Sequence, residues 1–270
     1  MEINTLGVKP RENACPHAII QNFINFDFTV SKPDVAKKLF LPEPLEPMYD
    51  EDGDVMLTCG FVDSAFPPLR EVDGEIPDPN GTEFCECALG MGCLANGKAN
   101  FMNSWILLDH YAGALRRGFN RSVIDTFQRT RNHPMLEGDE HIHIGSRMFA
   151  TCCNDGALYA RASLEVKEVR EPDKFLDPHF FDWGQLRYLP DMAHGDDVRP
   201  LIQQASLYHF PAGMEKSKVY VGDGKLEFGD TLYNLFRDMG EIKVKRAFFI
   251  TFAYTYGSEE FICDIPTKKN

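Results

Sequence analysis

Five arginines, Arg116, Arg117, Arg121, Arg129 and Arg131, cluster in a chain whose formal charge is -13. Guanidinium groups that face a pocket bind carboxylates through paired hydrogen bonds and stabilise an enolate forming beside a carbonyl. On a solvated helix face the same residues would pair with Asp125, which lies four positions from both Arg121 and Arg129. Both readings stay open on sequence alone. Upstream, Glu86 stands in an alternating segment, pointing opposite to Cys85 and Cys87. In an apolar cavity such a carboxylate holds its proton more tightly and can act as a general acid or base; on a solvent face it is an ordinary strand carboxylate. His110, after Leu108-Asp109, is either a proton shuttle or a turn residue. Lys98 is the one lysine between Leu39 and Val166 and sits just past a turn, where it is expected to be exposed.

Other chemistries find less support. His141-x-His143 would share one strand face, as ligand pairs in metal-binding β-barrels do, but Ile144–Cys153 holds no glutamate for a third ligand. The eight cysteines lack the C-x₂₋₄-C pairs of zinc modules and read as reduced, structural thiols. No metal and no cofactor is therefore expected. There is no G-x-S-x-G, P-loop or dinucleotide glycine pattern. The acidic balance argues against nucleic acid, and no apolar run approaches the roughly 20 residues that span a bilayer. Met1–Thr5 lacks the basic-then-apolar pattern of a signal peptide. The expectation is a cytoplasmic protein with a small-molecule partner, and neither nucleic acid nor membrane.

The elements that must position these residues are short alternating segments split by Gly, Pro, Asn and Asp. Ile19–Val30 predicts a half-buried strand, and Pro33–Phe40 a short helix with an early Pro and Asp. Val55–Phe66, Glu83–Leu94, Asn100–Asp109, His141–Cys152, Ala157–Val169, Leu201–Phe210 and Ala247–Tyr256 are further strands, with a short helix near Leu232–Met239. Asn96-Gly97 and Asn154-Asp155-Gly156 read as hairpin turns. Pro67–Asn80, rich in proline and acid, is the candidate lid. No repeat or domain boundary is visible, so residues 1–270 are expected to form a single domain.

Several segments, in order, resemble the acetoacetate decarboxylase-like superfamily. Leu41-Pro42-Glu43-Pro44-Leu45 is similar to its "lPepLe" segment, and Phe84-Cys85-Glu86 to its "Y-x-E" strand, followed by the Asn96-Gly97 turn and Leu107-Leu108-Asp109. Gly156–Leu164 resembles "G-x-x-v-A-x-A-x-m", Trp183–Pro190 resembles "Y-x-L-K-x-I-P", and Gly224–Gly240 its closing segment. The resemblance implies a mainly β (α+β) fold, a single-domain antiparallel cone-like β-barrel with a few short helices around an apolar cavity. It also implies assembly into a homo-oligomer and a substrate-orienting role for Glu86.

Decarboxylating members form an imine through a lysine in "G-R-E-x-x-G-[FY]-P-K-K". The corresponding stretch here is Leu115–Leu136. Gly118-Phe119-Asn120-Arg121 echoes "G-F-P-K" and puts Arg121 at the nucleophile position, counting from Glu86 gives Asp125, and anchoring on Pro134 gives Arg129. None is a lysine, and a guanidinium stays protonated and cannot replace one. The family's N-terminal substrate-binding arginine also lacks a counterpart, since Ala14–Phe28 contains no Arg. The implied function is an enzyme acting on a β-keto or enolisable, polyketide-like small molecule without imine formation, as a lyase, cyclase, dehydratase or non-covalent decarboxylase in a biosynthetic pathway. Glu86, Arg121 and Arg129 would be catalytic, with Arg117, His110, Asp125 and Phe119 binding substrate. The alternative is a non-catalytic binder of small molecules using the same cavity.

Overall fold

The computed structural model describes residues 18–43, 45–66, 82–95, 97–108, 121–123, 126–129, 142–154, 156–172, 184–188, 198–207, 218–229 and 235–266. Strand β1 (Ala18–Val30) runs into helix α1 (Pro33–Phe40). Proline at the start, Asp34 in the first turn and Lys37 and Lys38 in the last fit the helix dipole, and Ala36 and Phe40 face inward. Then follow β2 (Glu46–Pro47), β3 (Leu57–Phe66), β4 (Thr82–Ala95), β5 (Lys98–Leu108), β6 (Arg121–Val123) and β7 (Thr126–Arg129). The rest are β8 (Arg147–Asn154), β9 (Ala157–Arg170), β10 (Gly184–Tyr188), β11 (Val198–Leu207), β12 (Val219–Phe228), a 3-10 turn at Leu235–Met239, and the long β13 (Ile242–Pro266).

All lie in one 13-stranded sheet, antiparallel except where β5 meets β6 and β10. β1 pairs with both β3 and β13, so the pairings β1–β3–β4–β5–β10–β11–β13 return to β1, while β12, β9, β8 and β7 branch from β13. The class is mainly β. The β5–β10 link in this circuit is short, with Gly184, Gln185 and Leu186 pairing with β5.

Register defines two faces of β1, β3, β4 and β5. Ile24, Phe26 and Phe28 share one face with Phe61, Cys87 and Leu89. This face packs against α1, the 3-10 turn, β8 and β9 as the main core. The other face carries Gln21 and Asn25 with Val62, Ser64 and Glu86. The expectation of a half-buried β1 needs correction: Gln21 and Asn25 are 3% and 1% exposed, so both faces are covered.

Two further differences have physical causes. The strand expected from His141 begins at Arg147, because Gly145 (φ 93°) and Ser146 close a turn in front of it. Strand β12 has no alternating pattern to announce it, because its glycines are there for close approach. A Cβ at Gly222 would lie 1.9 Å from the Glu165 carbonyl oxygen, and one at Gly224 2.3 Å from Ala247. The turns expected at Gly97 and Gly156 are present, both with the positive φ (73° and 72°) that glycine adopts without strain.

Candidate functional site

Glu86 lies on β4, opposite Val62 on β3 and Leu108 on β5. Its carboxylate is half-buried, and Gln21 Nε2 of β1 donates to its Oε1 at 3.4 Å. The same amide donates to Ser64 Oγ at 2.8 Å. Gln21 and Ser64 face each other across β1 and β3, one same-face step from the Val62–Glu86 pair, so sheet register alone assembles the trio. Val62, Ile106, Phe248 and Ile250 are buried on this face. Further along it, Thr58 Oγ1 donates to Asn25 Oδ1 at 2.7 Å, and Arg246 pairs with Asp27 at 2.5 Å.

The thiols flanking Glu86 turn away from it, as strand alternation requires. Cys85 donates to Asp63 Oδ1 at 3.0 Å, in a row with Asn22, whose Oδ1 accepts from Thr251 at 2.6 Å. Cys87 sits in the main core between Cys152 and Cys59. The bond with Cys152 favours its thiolate, but the bond with Cys59, burial and the nearby Glu86 charge together push the thiol well above its ordinary range. Burial likewise pushes Cys93 up to about 12. Neither is a nucleophile near neutral pH.

Register also locates the lysine question. Lys98 pairs with Ala95 at the hairpin end, nine residues along β4 from Glu86, roughly 30 Å at strand rise. It cannot share a site with Glu86. Arg121 pairs with Ile106, which pairs with Ala88, so its backbone lies two strands from β4 and one same-face step from the Glu86 row. Arg129 pairs with Ala150 on the other branch of the sheet. Arg116, Arg117, Phe119, His110, Asp125 and Arg131 fall outside the described residues, as do His141 and Pro67–Asn80.

His143 is not on a strand. It lies exposed in the turn before β8, its amide donating to Ser146 Oγ at 3.1 Å, so strand alternation cannot pair it with His141. Sequence reasoning passed over another charged group, Asp50, Asp52 and Asp54. Lys245 Nζ reaches them at 3.3, 2.6 and 3.1 Å. The Asp54 amide, followed by Lys245, holds the Asp50 carboxyl below its usual range, while bonds to Asp52 and Asp54 hold the lysine above its own. With a built-in ammonium at its centre, this cluster is a clasp between the Tyr49–Val55 loop and β13.

No protein-family model and no curated protein sequence matches the chain. Solved structures do. The enduracididine biosynthesis enzyme MppR complexed with pyruvate is 18% identical over 96% of this chain and 95% of that one, with a TM-score of 0.73. An acetoacetate decarboxylase-like enzyme from Sphingomonas wittichii RW1 is 15% identical over 91% and 92%, at 0.68. The acetoacetate decarboxylase of Legionella pneumophila is 14% identical over 92% and 88%, at 0.62. The fold is therefore that of the acetoacetate decarboxylase-like enzymes. Among the described residues, no helix is long and apolar enough to cross a membrane.

Proposed function

We propose that this chain is an enzyme that moves protons at a carbon beside a carbonyl, without an imine, and that Glu86 is the group that moves them. The reading is carried by one observation: a half-buried carboxylate fixed by a buried amide on the face opposite the main core. Glu86 takes a proton from the carbon next to the carbonyl, and the C–H electrons pass into the carbonyl to give an enolate. Arg121 stabilises that oxygen or a substrate carboxylate; Arg129, on the far branch of the sheet beside the main-core residue Ala150, is dropped from the role. Returned to the same carbon, the proton gives exchange; given to the oxygen of an aldehyde that the enolate carbon has attacked, it completes a condensation; given to a hydroxyl leaving the neighbouring carbon, it completes a dehydration. In a decarboxylation the enolate instead takes the electrons of the breaking C–CO₂ bond, and a protonated Glu86 gives its proton to that carbon.

Gln21 is assigned a positioning role. Its hydrogen bond to Oε1 orients the carboxylate. A small 2-oxo or β-keto acid is the substrate class in keeping with the fold. MppR has been captured with pyruvate and with a condensation product of pyruvate and imidazole 4-carboxaldehyde. The distance of Lys98 from Glu86 supports chemistry without a covalent intermediate.

The test is deuterium exchange at C3 of pyruvate and C2 of acetoacetate, followed by proton NMR in D₂O. The wild-type chain is expected to accelerate exchange above the background rate, and Glu86→Gln to abolish the acceleration. If neither probe nor any homologous oxo acid exchanges, while a small molecule co-purifies with the chain, the non-catalytic binder is the correct reading.

A further inference from the structure

Phe23, Glu86 and Ala88 are partly exposed, while Val62, Ser64, Ile106 and Ile250 on the same face of the sheet are buried. The space over Phe23, Glu86 and Ala88 is therefore open to solvent and not filled by packed protein. Phe23 shares a row with Val62 and Glu86, as register across β1, β3 and β4 requires. Its ring leans one row further and lies over Gly60: a Cβ there would stand 2.6 Å from the ring's Cζ. The row through Gly60 continues to Ala88, Ile106 and Arg121 on β4, β5 and β6. An aromatic ring thus stands at one end of this row and the Arg121 backbone at the other, three strand spacings or about 14 Å apart. Between them Ala88, whose side chain is a single methyl, lies one same-face step from Glu86.

We infer that the acid taken by this site is longer than pyruvate and ends in a branched apolar group, which packs on Phe23. The inference rests on the roles proposed above for Glu86 and Arg121. With its carboxylate at the Arg121 end and its reacting carbon beside Glu86, a three-carbon acid stops short of the ring. A longer chain crosses Ala88 and covers the ring, which removes apolar surface of both partners from water. A second carboxylate does not suit that end. The Asn25 amide is already bonded to Asp27 and Thr58, and the Arg246 charge is matched by Asp27. Neither offsets the hydration that an entering carboxylate loses.

The test is titration calorimetry of the full chain with pyruvate, 4-methyl-2-oxopentanoate and 2-oxoglutarate. The branched acid is expected to bind about 10- to 60-fold tighter than pyruvate, from roughly fourfold for each of its three added carbons. The dicarboxylate 2-oxoglutarate is expected to bind no tighter than pyruvate. Phe23→Ala should bring the branched acid to within about threefold of pyruvate. Gly60→Ala is the second variant, should the first fail to fold: its methyl displaces the Phe23 ring, and the same preference should fall. Equal affinities for pyruvate and the branched acid overturn the inference, as does tight 2-oxoglutarate binding or a preference that survives both variants. Deuterium exchange on the bound acid separates the two claims. A branched acid that binds with this preference yet gains no exchange sinks the Glu86 reading and keeps the apolar end; exchange without the preference does the reverse.

Discussion

The two faces of β1, β3, β4 and β5 are built from the same strands and differ in what they bury. On one, Phe26, Phe28, Phe61, Leu89 and the thiols of Cys59 and Cys87 fill a close-packed core against α1 and the outer strands. Among the described residues, the polar side chains on that side include the marginal row Asn22, Asp63, Cys85 and Thr251, Asn100 beside Cys93, and the Trp105 nitrogen. On the other face, the Gln21 and Asn25 amides and the Ser64 hydroxyl are buried in hydrogen bonds among Val62, Ile106, Phe248 and Ile250, with the half-buried Glu86 carboxylate beside them. A core gains nothing by ordering polar groups that burial penalises. Where a fold holds a carboxylate beside a buried amide, orientation of that carboxylate is the physical return. The first face stabilises and the second positions.

The sharpest way to break this contrast is on the positioning face. Glu86→Gln should lower the oxo-acid exchange rate by about 10²–10⁴ and leave the unfolding midpoint nearly unchanged. A variant that exchanges at the wild-type rate removes Glu86 from the chemistry. Next comes the packed face. Phe61 is fully buried and edge-on to Phe26 at 6.3 Å. Phe61→Ala should lose about 3–5 kcal/mol in urea unfolding and expose the core thiols to alkylation. A loss under about 1 kcal/mol would mean that this face is not the stabilising one.

A smaller effect is expected at Gln21. The bond it donates favours the charged carboxylate. Gln21→Leu should therefore shift the acid limb of the exchange profile to higher pH and cut the rate several-fold. If the loss is uniform across pH, Gln21 is a packing residue.

The smallest effect belongs to the clasp at Lys245. Asp50 titrates below its ordinary value, so its contribution is present above the normal carboxylate range and fades as pH falls through the lowered value. Lys245 titrates above its ordinary value of 10.5, so its contribution is present below that and fades as pH rises through the raised value. Lys245→Met should lower the melting temperature by at most about 4 °C, between roughly pH 5 and 10. A loss that persists in acid would point to packing of the lysine stem instead.

Much of the frame was legible in the residues. Helix α1 has the expected bounds, since its proline, acid and basic last turn all agree. β3, β4 and β5 lie where alternation and the Gly97 turn put them. Glu86 opposes Cys85 and Cys87 because the strand period is two. What escaped reading depends on contacts distant in sequence. Gln21 looked like the wet side of a half-buried strand, and only packing on both faces of β1 buries it. β12 gave no signal because its glycines make room for β9 and β13. β6 and β7 are three and four residues long, too short for any period. His143 was read onto a strand although Gly145-Ser146 was there to signal the turn.

The central claim, proton transfer by Glu86 with no covalent intermediate, meets its most direct test in one experiment. The chain is treated with borohydride in the presence of acetoacetate, freed of both, and its deuterium-exchange rate is measured again. An imine enzyme would emerge inactivated and heavier at a lysine. This account predicts an unchanged rate; an exchange activity lost along with such a mass gain would contradict it.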